Sequence, residues 1–371
     1  MVTTILLISG LLLAFANGGN DNVKGVATLF GSGTTDYRRA LYWATGTTLI
    51  GSFVAVLIAQ TLLARFSGKG LVPDELAASP HFLAAVGMGA GLAVVLATRI
   101  GMPISTTHAL VGALVGAGAA AAASVHWGTL GAAFFAPLLL SPVLALVATA
   151  AVYPVFRAIR VGLGVGKQSC FCVGLEPVEI VPLQSPAAAL ERSRHLTLTL
   201  GTTVTCHERY EGQVLGVNCR ALLDALHYLS AGLVSFARGL NDTPKIAALM
   251  LAAPSIGTAP SIMACGVVIA AGGLTSGRRV AETMGRRITP MNAGQGFTAN
   301  LMTGLLVIGA SRFGLPVSTT HVSCGSLFGL GAVTGGARRA QVVKIVLAWV
   351  VTLPVAATLA WGSYQIVSFG G

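Results

Sequence analysis

The chain reads FANGGNDNVK over residues 15–24 and FARGLNDTPK over residues 236–245, two copies of one motif. A second motif reads RIGMPISTTH over residues 99–108 and returns as RFGLPVSTTH over residues 312–321. Both second copies follow their first copies at nearly the same distance along the chain, and the two motifs keep the same order. Two motifs that recur at nearly one offset indicate an internal duplication.

The duplication sets the expected domain boundaries. We predict a first membrane repeat over residues 1–156, a linker domain over 157–220 and a second membrane repeat over 221–371. The linker is the one polar region, and it contains a β-prone run over residues 195–205. We expect it to be a small cytoplasmic domain.

The composition places most of the chain in a membrane. Of its 371 residues, 54% are hydrophobic and only 9% are charged, against roughly 25% charged residues in a soluble domain. Apolar runs such as 41–64, 130–152 and 342–360 approach or exceed the roughly 20 residues that cross a bilayer as a helix. The net charge of +11 comes largely from Arg and Lys in the segments between these runs, as membrane orientation signals do. We therefore expect a lipid environment and no nucleic-acid partner.

The predicted fold is an all-α polytopic membrane protein with ten to twelve membrane helices. Five spans in each repeat, an odd number, would turn the second repeat over and give the inverted repeats common in secondary transporters. With the N terminus outside, the short loops place two basic residues, Arg65 and Lys69, outside and nine in the cytoplasm. Both termini are thus predicted outside, with the linker cytoplasmic. The nine are Arg38, Arg39, Arg278, Arg279, Arg286, Arg287, Arg338, Arg339 and Lys344.

Ionisable residues in the first motif are the strongest functional signal, because charges within membrane spans are costly and usually serve a function. In each copy an aspartate follows an asparagine and precedes a lysine by three positions. One alternative is that the lysines pair with the aspartates simply to reduce the cost of burying both charges. Duplication of the whole group favours a functional site. The residues are Asn20, Asp21, Lys24, Asn241, Asp242 and Lys245.

The same motif is expected to break its helix. Gly18, Gly19 and Gly239 lower the helix propensity, and Pro244 removes a backbone donor in the second copy. Broken helices, or re-entrant hairpins at the second motif, would expose carbonyl groups to a cation and N–H groups to an anion at the centre of the protein.

The second motif predicts an anion site. Pro103 and Pro316 each precede a Ser-Thr-Thr triplet, as at a helix N-terminus, where free N–H groups and hydroxyls can hold an anion. The alternative is simple hydrogen bonding between helices. His108 and His321 follow the triplets and could serve packing, proton transfer or anion binding. The triplets are Ser105, Thr106, Thr107 and Ser318, Thr319, Thr320.

Four of the six cysteines lie in the predicted linker. Their C-x-C spacing with long irregular gaps does not match a zinc finger, and a cytoplasmic location keeps thiols reduced. We therefore expect free thiols there. The four are Cys170, Cys172, Cys206 and Cys219.

Together, the repeated Gly-x-Asn-Asp motif, the repeated Pro-x-Ser-Thr-Thr-His motif and the segment GRRVAETMGRR over residues 277–287 resemble the inorganic phosphate transporter (PiT) family, including its related sulfate permeases. The resemblance covers nearly everything except residues 157–220. It implies a secondary carrier of phosphate in the plasma (inner) membrane, driven by Na⁺ or H⁺, without a cofactor or enzymatic activity, and it is compatible with a homodimer.

The resemblance also assigns roles to residues. The Asn-Asp pairs would serve the coupling ion and the site geometry, with Na⁺ at Asp21 and Asp242 if a metal ion is used. The six triplet hydroxyls, together with Asn20, Asn241 and the two lysines, would hold the anion. Sodium-coupled members resemble Gly-Ala-Asn-Asp-Val-Ala/Ser-Asn-Ala, whereas this chain carries Lys24 and Lys245. An ammonium beside a carboxylate can supply the charge of a bound Na⁺, which favours proton coupling or fewer sodium ions.

Other functions remain open at this point. A sulfate or other oxyanion permease would keep the same mechanism, and an anion channel would share the anion site. A membrane-embedded enzyme would use Asp21, Asp242 and the two histidines as acids and bases. Catalysis usually needs such groups in unlike environments, whereas a duplication supplies matched ones.

Overall fold

The computed structural model describes the chain except for a few short stretches. These are residues 1, 59, 167, 179–192, 211–213, 254–255 and 370–371. The chain divides into two compact units. One comprises Met1–Tyr153 and His227–Gly371, and the other comprises Pro154–Leu226.

The larger unit is helical. Its first part contains α1 Val2–Asp21, α2 Ala27–Gly31, α3 Tyr37–Ile58, α4 Gln60–Phe66, α5 Asp74–Ala77, α6 Pro80–Arg99, α7 Thr106–Ala120, α8 Trp127–Thr129, a π-helical stretch Leu130–Phe135 and most of α9 Ala136–Gly162. After α10 of the smaller unit, given below, it contains most of α11 Cys219–Met250, then α12 Thr258–Ser276, α13 Arg278–Glu282, a π-helical stretch Thr283–Arg287, α14 Ala293–Arg312, α15 Thr319–Thr334 and α16 Arg339–Phe369.

Six helical segments of the described chain are long and apolar enough to cross a membrane, namely α1, α3, α6, the run from α8 to α9, α12 and α16. This is fewer than the ten to twelve predicted spans, in part for two physical reasons. Helix α11 is 32 residues long but carries charged residues of the first motif at its centre. Helices α7 and α15 have 15 and 16 residues, too few for a full crossing. The total number of spans therefore stays a prediction.

The helix boundaries follow the spacing of the sequence motifs. Shifting α6 along the chain by the offset of the second motif reproduces both ends of α14, and the same shift takes the start of α7 to the start of α15. The offset of the first motif takes the start of α3 to the start of α12. The helices therefore repeat with the motifs.

Helices from both parts of the chain pack together, with α1 against α6 and α12, and α16 against α6 and α7. In the first half, the packing of α1 on α6 brings the first motif next to the start of the second. The inverted orientation of the halves stays a prediction.

The predicted helix breaks are only half right. Helix α1 ends at Asp21 and gives way to turns, whereas α11 continues through Gly239 and Pro244, so the break predicted in the second half is wrong. The glycines serve close helix packing instead. A Cβ atom on Gly18 would collide with the carbonyl of Ile269, and one on Gly239 with the carbonyl of Thr48.

The smaller unit contains a three-stranded antiparallel sheet with strand order β2-β1-β3. Its strands are β1 Ser169–Val178, β2 Ser193–Thr202 and β3 Val214–Asn218, and β2 is followed by helix α10 Thr203–Arg209. The prediction of an all-α fold is therefore wrong for the smaller unit. The β-prone run lies on β2 until Thr202, where a capping box with Thr205 starts α10.

The prediction of free thiols is wrong for one pair of cysteines. Cys172 on β1 forms a disulfide with Cys206 on α10, while Cys170 and Cys219 stay free. The pairing follows from the fold, since α10 packs on the sheet directly after β2 and both cysteines are buried there with Tyr210.

Candidate functional site

The lysine of the first half lies in a pocket of three oxygen atoms. The ammonium of Lys24 donates to the carboxylate of Asp21, to the carbonyl of Ile104 at 2.7 Å and to the hydroxyl of Thr320. Asp21 is at the end of α1, Ile104 precedes α7, and Thr320 is in the first turn of α15. The pocket therefore joins the first motif to both copies of the second.

The lysine of the second half repeats this arrangement. The ammonium of Lys245 lies 3.4 Å from the carboxylate of Asp242, 2.7 Å from the carbonyl of Val317 and 3.0 Å from the hydroxyl of Thr107. In both halves the carboxylate comes from the lysine's own half and the hydroxyl comes from the other. The carbonyl also comes from the lysine's own half. Each half thus completes the other's ammonium site.

The carboxylates hold the threonines that start the two short helices. Asp21 accepts hydrogen bonds from the amide of Asn17 at 3.0 Å and the hydroxyl of Thr106 at 3.2 Å. Asp242 accepts from the hydroxyl of Thr319 at 3.3 Å. These bonds fix the N-termini of α7 and α15 against the ion pairs.

The two asparagines tie the first motif to the segment before each short helix. Asn20 donates to the hydroxyl of Thr98 and the carbonyl of Met102, each at 3.0 Å, and accepts from the N–H of Ile104. Asn241 donates to Asp242 and to the carbonyl of Val317. The asparagines thus set the geometry around the two lysines.

The Ser-Thr-Thr triplets start helices, as predicted. Ser105 and Ser318 are the N-cap residues of α7 and α15, and each accepts the backbone N–H three residues on, at 3.1 and 3.2 Å. Of the other hydroxyls, Thr106 and Thr319 bind carboxylates, and Thr107 and Thr320 accept from lysines. The six triplet residues, which are six of the ten predicted anion ligands, therefore lie at the helix starts that contact the ion pairs. Their contact with an anion stays a prediction.

Arg238, which the sequence analysis overlooked, is the third buried cation of this cluster. It occupies the position in the second copy of the first motif that Asn17 occupies in the first copy. It donates to the side-chain carbonyl oxygen of Asn17 at 2.7 Å and to that of Asn22 at 3.1 Å. Its Nε lies 3.9 Å from a carboxylate oxygen of Asp242 and has no hydrogen-bond partner. A charge one helical turn before Asp242 in an apolar segment is the signal that could have identified it.

Counted by formal charge, the buried cluster has one positive charge in excess. Its three cations, Lys24, Arg238 and Lys245, face two carboxylates, Asp21 and Asp242, and each of the five residues is at most 3% exposed. An uncompensated buried charge is strongly unfavourable, and an added anion would remove the penalty. The arrangement is suited to holding an anion among fixed cations and hydroxyls.

The two histidines of the second motif form a pair. The ring centroids of His108 and His321 lie 4.4 Å apart, and the ring of His321 lies 4.0 Å from that of Trp349. His321 Nδ1 lies 3.1 Å from the carbonyl of Leu138, whereas His108 Nδ1 and His321 Nε2 have no hydrogen-bond partner. Packing of the rings does not explain why these two buried nitrogens lack hydrogen bonds. Proton binding and ligand binding therefore both stay open as roles of the pair.

The residues expected to hold Na⁺ bind lysine side chains of the protein itself. Carboxylate oxygen atoms of Asp21 and Asp242 contact lysine ammonium groups. Across the described ranges, no group of three or more His, Cys, Asp or Glu side chains is arranged to hold a metal ion.

Comparisons with known proteins find relatives over most of the chain. The sequence pattern of the phosphate transporter family matches residues 17–360. A chloroplastic inorganic phosphate transporter 2-1 of Arabidopsis thaliana is 28% identical over 98% of this chain and 72% of its own. A probable low-affinity inorganic phosphate transporter of Rhizobium meliloti is 29% identical over 96% and 93%.

A solved structure of a sodium-dependent phosphate transporter has the same fold, with a TM-score of 0.74, 21% identity and 99% coverage of both chains. With the apolar helices, these matches identify an integral membrane protein of a transporter class and not an enzyme. The chain belongs to the phosphate transporter family.

Proposed function

We propose that the chain is a secondary active transporter of inorganic phosphate that couples transport to protons and works by alternating access. The observation that carries this proposal is the pair of lysine ammonium groups, each held by a carboxylate, a carbonyl and a hydroxyl oxygen. The excess positive charge of the cluster accounts for the anionic substrate. The six triplet hydroxyls and the two asparagines would replace the water molecules around the anion with hydrogen bonds.

Proton coupling is supported by the chemistry of these lysine sites. Three oxygens of these types are ligands that a hard cation takes in proteins. A lysine ammonium supplies the charge of a cation, but it is covalently attached to the protein and cannot cross the membrane with the substrate. A Na⁺ gradient therefore cannot drive transport through these two positions. The His108–His321 pair is a candidate for the transported proton, because each imidazole leaves one buried ring nitrogen unpaired.

Alternating access is supported by the exchange of hydroxyls between the halves. Lys24 binds Thr320, and Lys245 binds Thr107. A rocking movement of one half against the other would change both contacts together, as in transporters that bind substrate between repeats. The site would then open to one side at a time.

We propose that the protein lies in the plasma (inner) membrane. The proposed orientation places both termini outside and the smaller unit in the cytoplasm. The basic residues of the short loops support it. The disulfide between Cys172 and Cys206 speaks against it, because the cytosol keeps thiols reduced. Alkylation of intact cells before lysis decides the matter: alkylated Cys172 and Cys206 support a cytoplasmic unit, and an oxidised pair contradicts it.

Transport by purified protein in liposomes tests the function. Uptake of labelled phosphate and of labelled sulfate is measured with a proton gradient, a Na⁺ gradient or no gradient, and empty liposomes give the background. Phosphate accumulation driven by protons alone supports the proposal, and accumulation driven by Na⁺ alone contradicts the coupling. Accumulation of sulfate but not phosphate changes the substrate, while downhill flux without accumulation indicates a channel.

A further inference from the structure

A cavity of about 620 Å³ lies where the C-terminal parts of α1, α6 and α12 meet α13. Most of its polar lining is basic or hydroxylic, and Glu282 is its single acid. Its other polar lining residues are Thr98, Arg99, Thr275, Ser276, Arg278 and Arg279. A cavity with three arginines and one acid attracts anions.

The positive charges of the three arginines are not neutralised by neighbouring residues. Arg278 lies 3.5 Å from Glu282 in an exposed pair, which solvent screens strongly. Arg279 donates to the backbone carbonyl of Arg99, a contact that leaves both side-chain charges in place. The wall of the cavity therefore keeps an excess of positive charge.

The cavity reaches the first motif at its inner end. Gly19 and Thr98 are among its lining residues, and the hydroxyl of Thr98 accepts a hydrogen bond from Asn20 at 3.0 Å. Asn20 in turn accepts from the N–H of Ile104, whose carbonyl binds Lys24. A chain of three hydrogen bonds thus connects the wall of the cavity to Lys24 of the buried cluster.

We propose that this cavity is a vestibule that binds phosphate and similar oxyanions as they pass between the buried cluster and the solution, with the Thr98–Asn20 hydrogen bond as the barrier between the two sites. The proposal rests on the transport function proposed above. In the proposed orientation the vestibule opens to the cytoplasm, because it lies at the ends of α6 and α12, where Arg99 and Arg278 follow the spans.

The second half offers a matched control. Arg312 ends α14 as Arg99 ends α6, and each of the two arginines is the first residue of its copy of the second motif. Arg312 is not a lining residue of this cavity. A change at Arg312 removes the same charge from an equivalent helix end without altering the vestibule.

Charge-selective labelling tests the vestibule independently of transport. Ser276→Cys places a thiol in the cavity, and its modification rates by an anionic and a cationic methanethiosulfonate of similar size are compared. The parent chain gives the background from native thiols. A positive cavity should favour the anionic reagent by about tenfold, and millimolar phosphate should slow its reaction.

Arginine variants in the Ser276→Cys background decide the outcome. Arg99→Gln with Arg279→Gln should reduce the preference for the anionic reagent several-fold, and Arg312→Gln should leave it unchanged. Equal reactivity towards both reagents, or equal effects of the two sets of variants, would overturn the vestibule. Because labelling needs no turnover, an intact charge preference in a protein that fails to accumulate phosphate would reject the transport function and not the anion site.

Discussion

The two halves of the protein carry the same ion pair but differ in what surrounds it. In the first half, α1 ends at Asp21, and Asn17 binds its carboxylate. In the second half, α11 continues beyond Asp242, and Arg238 takes the place of Asn17. Duplication thus supplied two matched lysine–aspartate pairs, and divergence at one position added the charge that makes the cluster net positive.

The difference separates two tasks. We expect the matched residues, in which each lysine binds a hydroxyl of the other half, to take part in the movement between the halves. We expect the unmatched Arg238 to take part in binding an anion. Variants at matched positions should therefore have effects of the same kind in the two halves, and variants at Arg238 should lower the affinity with no counterpart in the first half.

The largest expected effect is that of Asp21→Asn or Asp242→Asn. Each change leaves a buried lysine without its counter-charge, and breaking a buried pair costs about 3–5 kcal/mol. Uptake should fall more than about a hundredfold in both variants. Quantified membrane insertion and size-exclusion profiles control for folding, and normal uptake in either properly inserted variant would break the equivalence of the halves.

The next effect is that of Arg238→Asn, which makes the second half like the first at this position. Loss of the excess charge should raise the KM for phosphate about tenfold or more, in line with the roughly 2–5 kcal/mol of a buried charge contact. Arg238→Lys should recover part of the affinity. An unchanged KM in Arg238→Asn would assign the anion to other residues.

A third test removes the ammonium groups. Lys24→Ala and Lys245→Ala each leave a carboxylate, a carbonyl and a hydroxyl around an empty position, to which Na⁺ can bind. Uptake should be low without Na⁺ and should increase several-fold with Na⁺, whereas the parent protein should show no such dependence. Na⁺-independent residual uptake in both variants would contradict the view that lysine replaces a cation.

The smallest effect is expected from Thr107→Val and Thr320→Val. Each removes one hydroxyl, typically about 1 kcal/mol for a hydrogen bond, so the apparent substrate constant should rise several-fold. Thr320 also donates to the carbonyl of Ile104 at 2.7 Å, so its variant should be the more affected. Identical kinetics to the parent protein in both variants would place the anion away from these hydroxyls.

The repeated motifs predicted the features that depend on local sequence. The Ser-Thr-Thr triplets are expected at helix N-termini, and Ser105 and Ser318 cap α7 and α15. The order of the helices also follows the spacing of the motifs. These features could be predicted because capping depends on a few adjacent residues.

Features that depend on packing could not be predicted. Gly239 looked like a helix breaker, but it allows α11 to approach the carbonyl of Thr48. The hydrogen bond from Lys24 to Thr320 joins residues that are far apart in the chain, and the disulfide of Cys172 depends on how α10 packs on the sheet. No spacing in the sequence encodes such contacts.

The most direct test of the account is a dual-label flux measurement with radiolabelled Na⁺ and radiolabelled phosphate in the same proteoliposomes. If Lys24 and Lys245 replace the coupling cations, phosphate should accumulate under a proton gradient with no Na⁺ entering above the background of empty liposomes. A fixed number of Na⁺ ions entering with each phosphate would contradict the account.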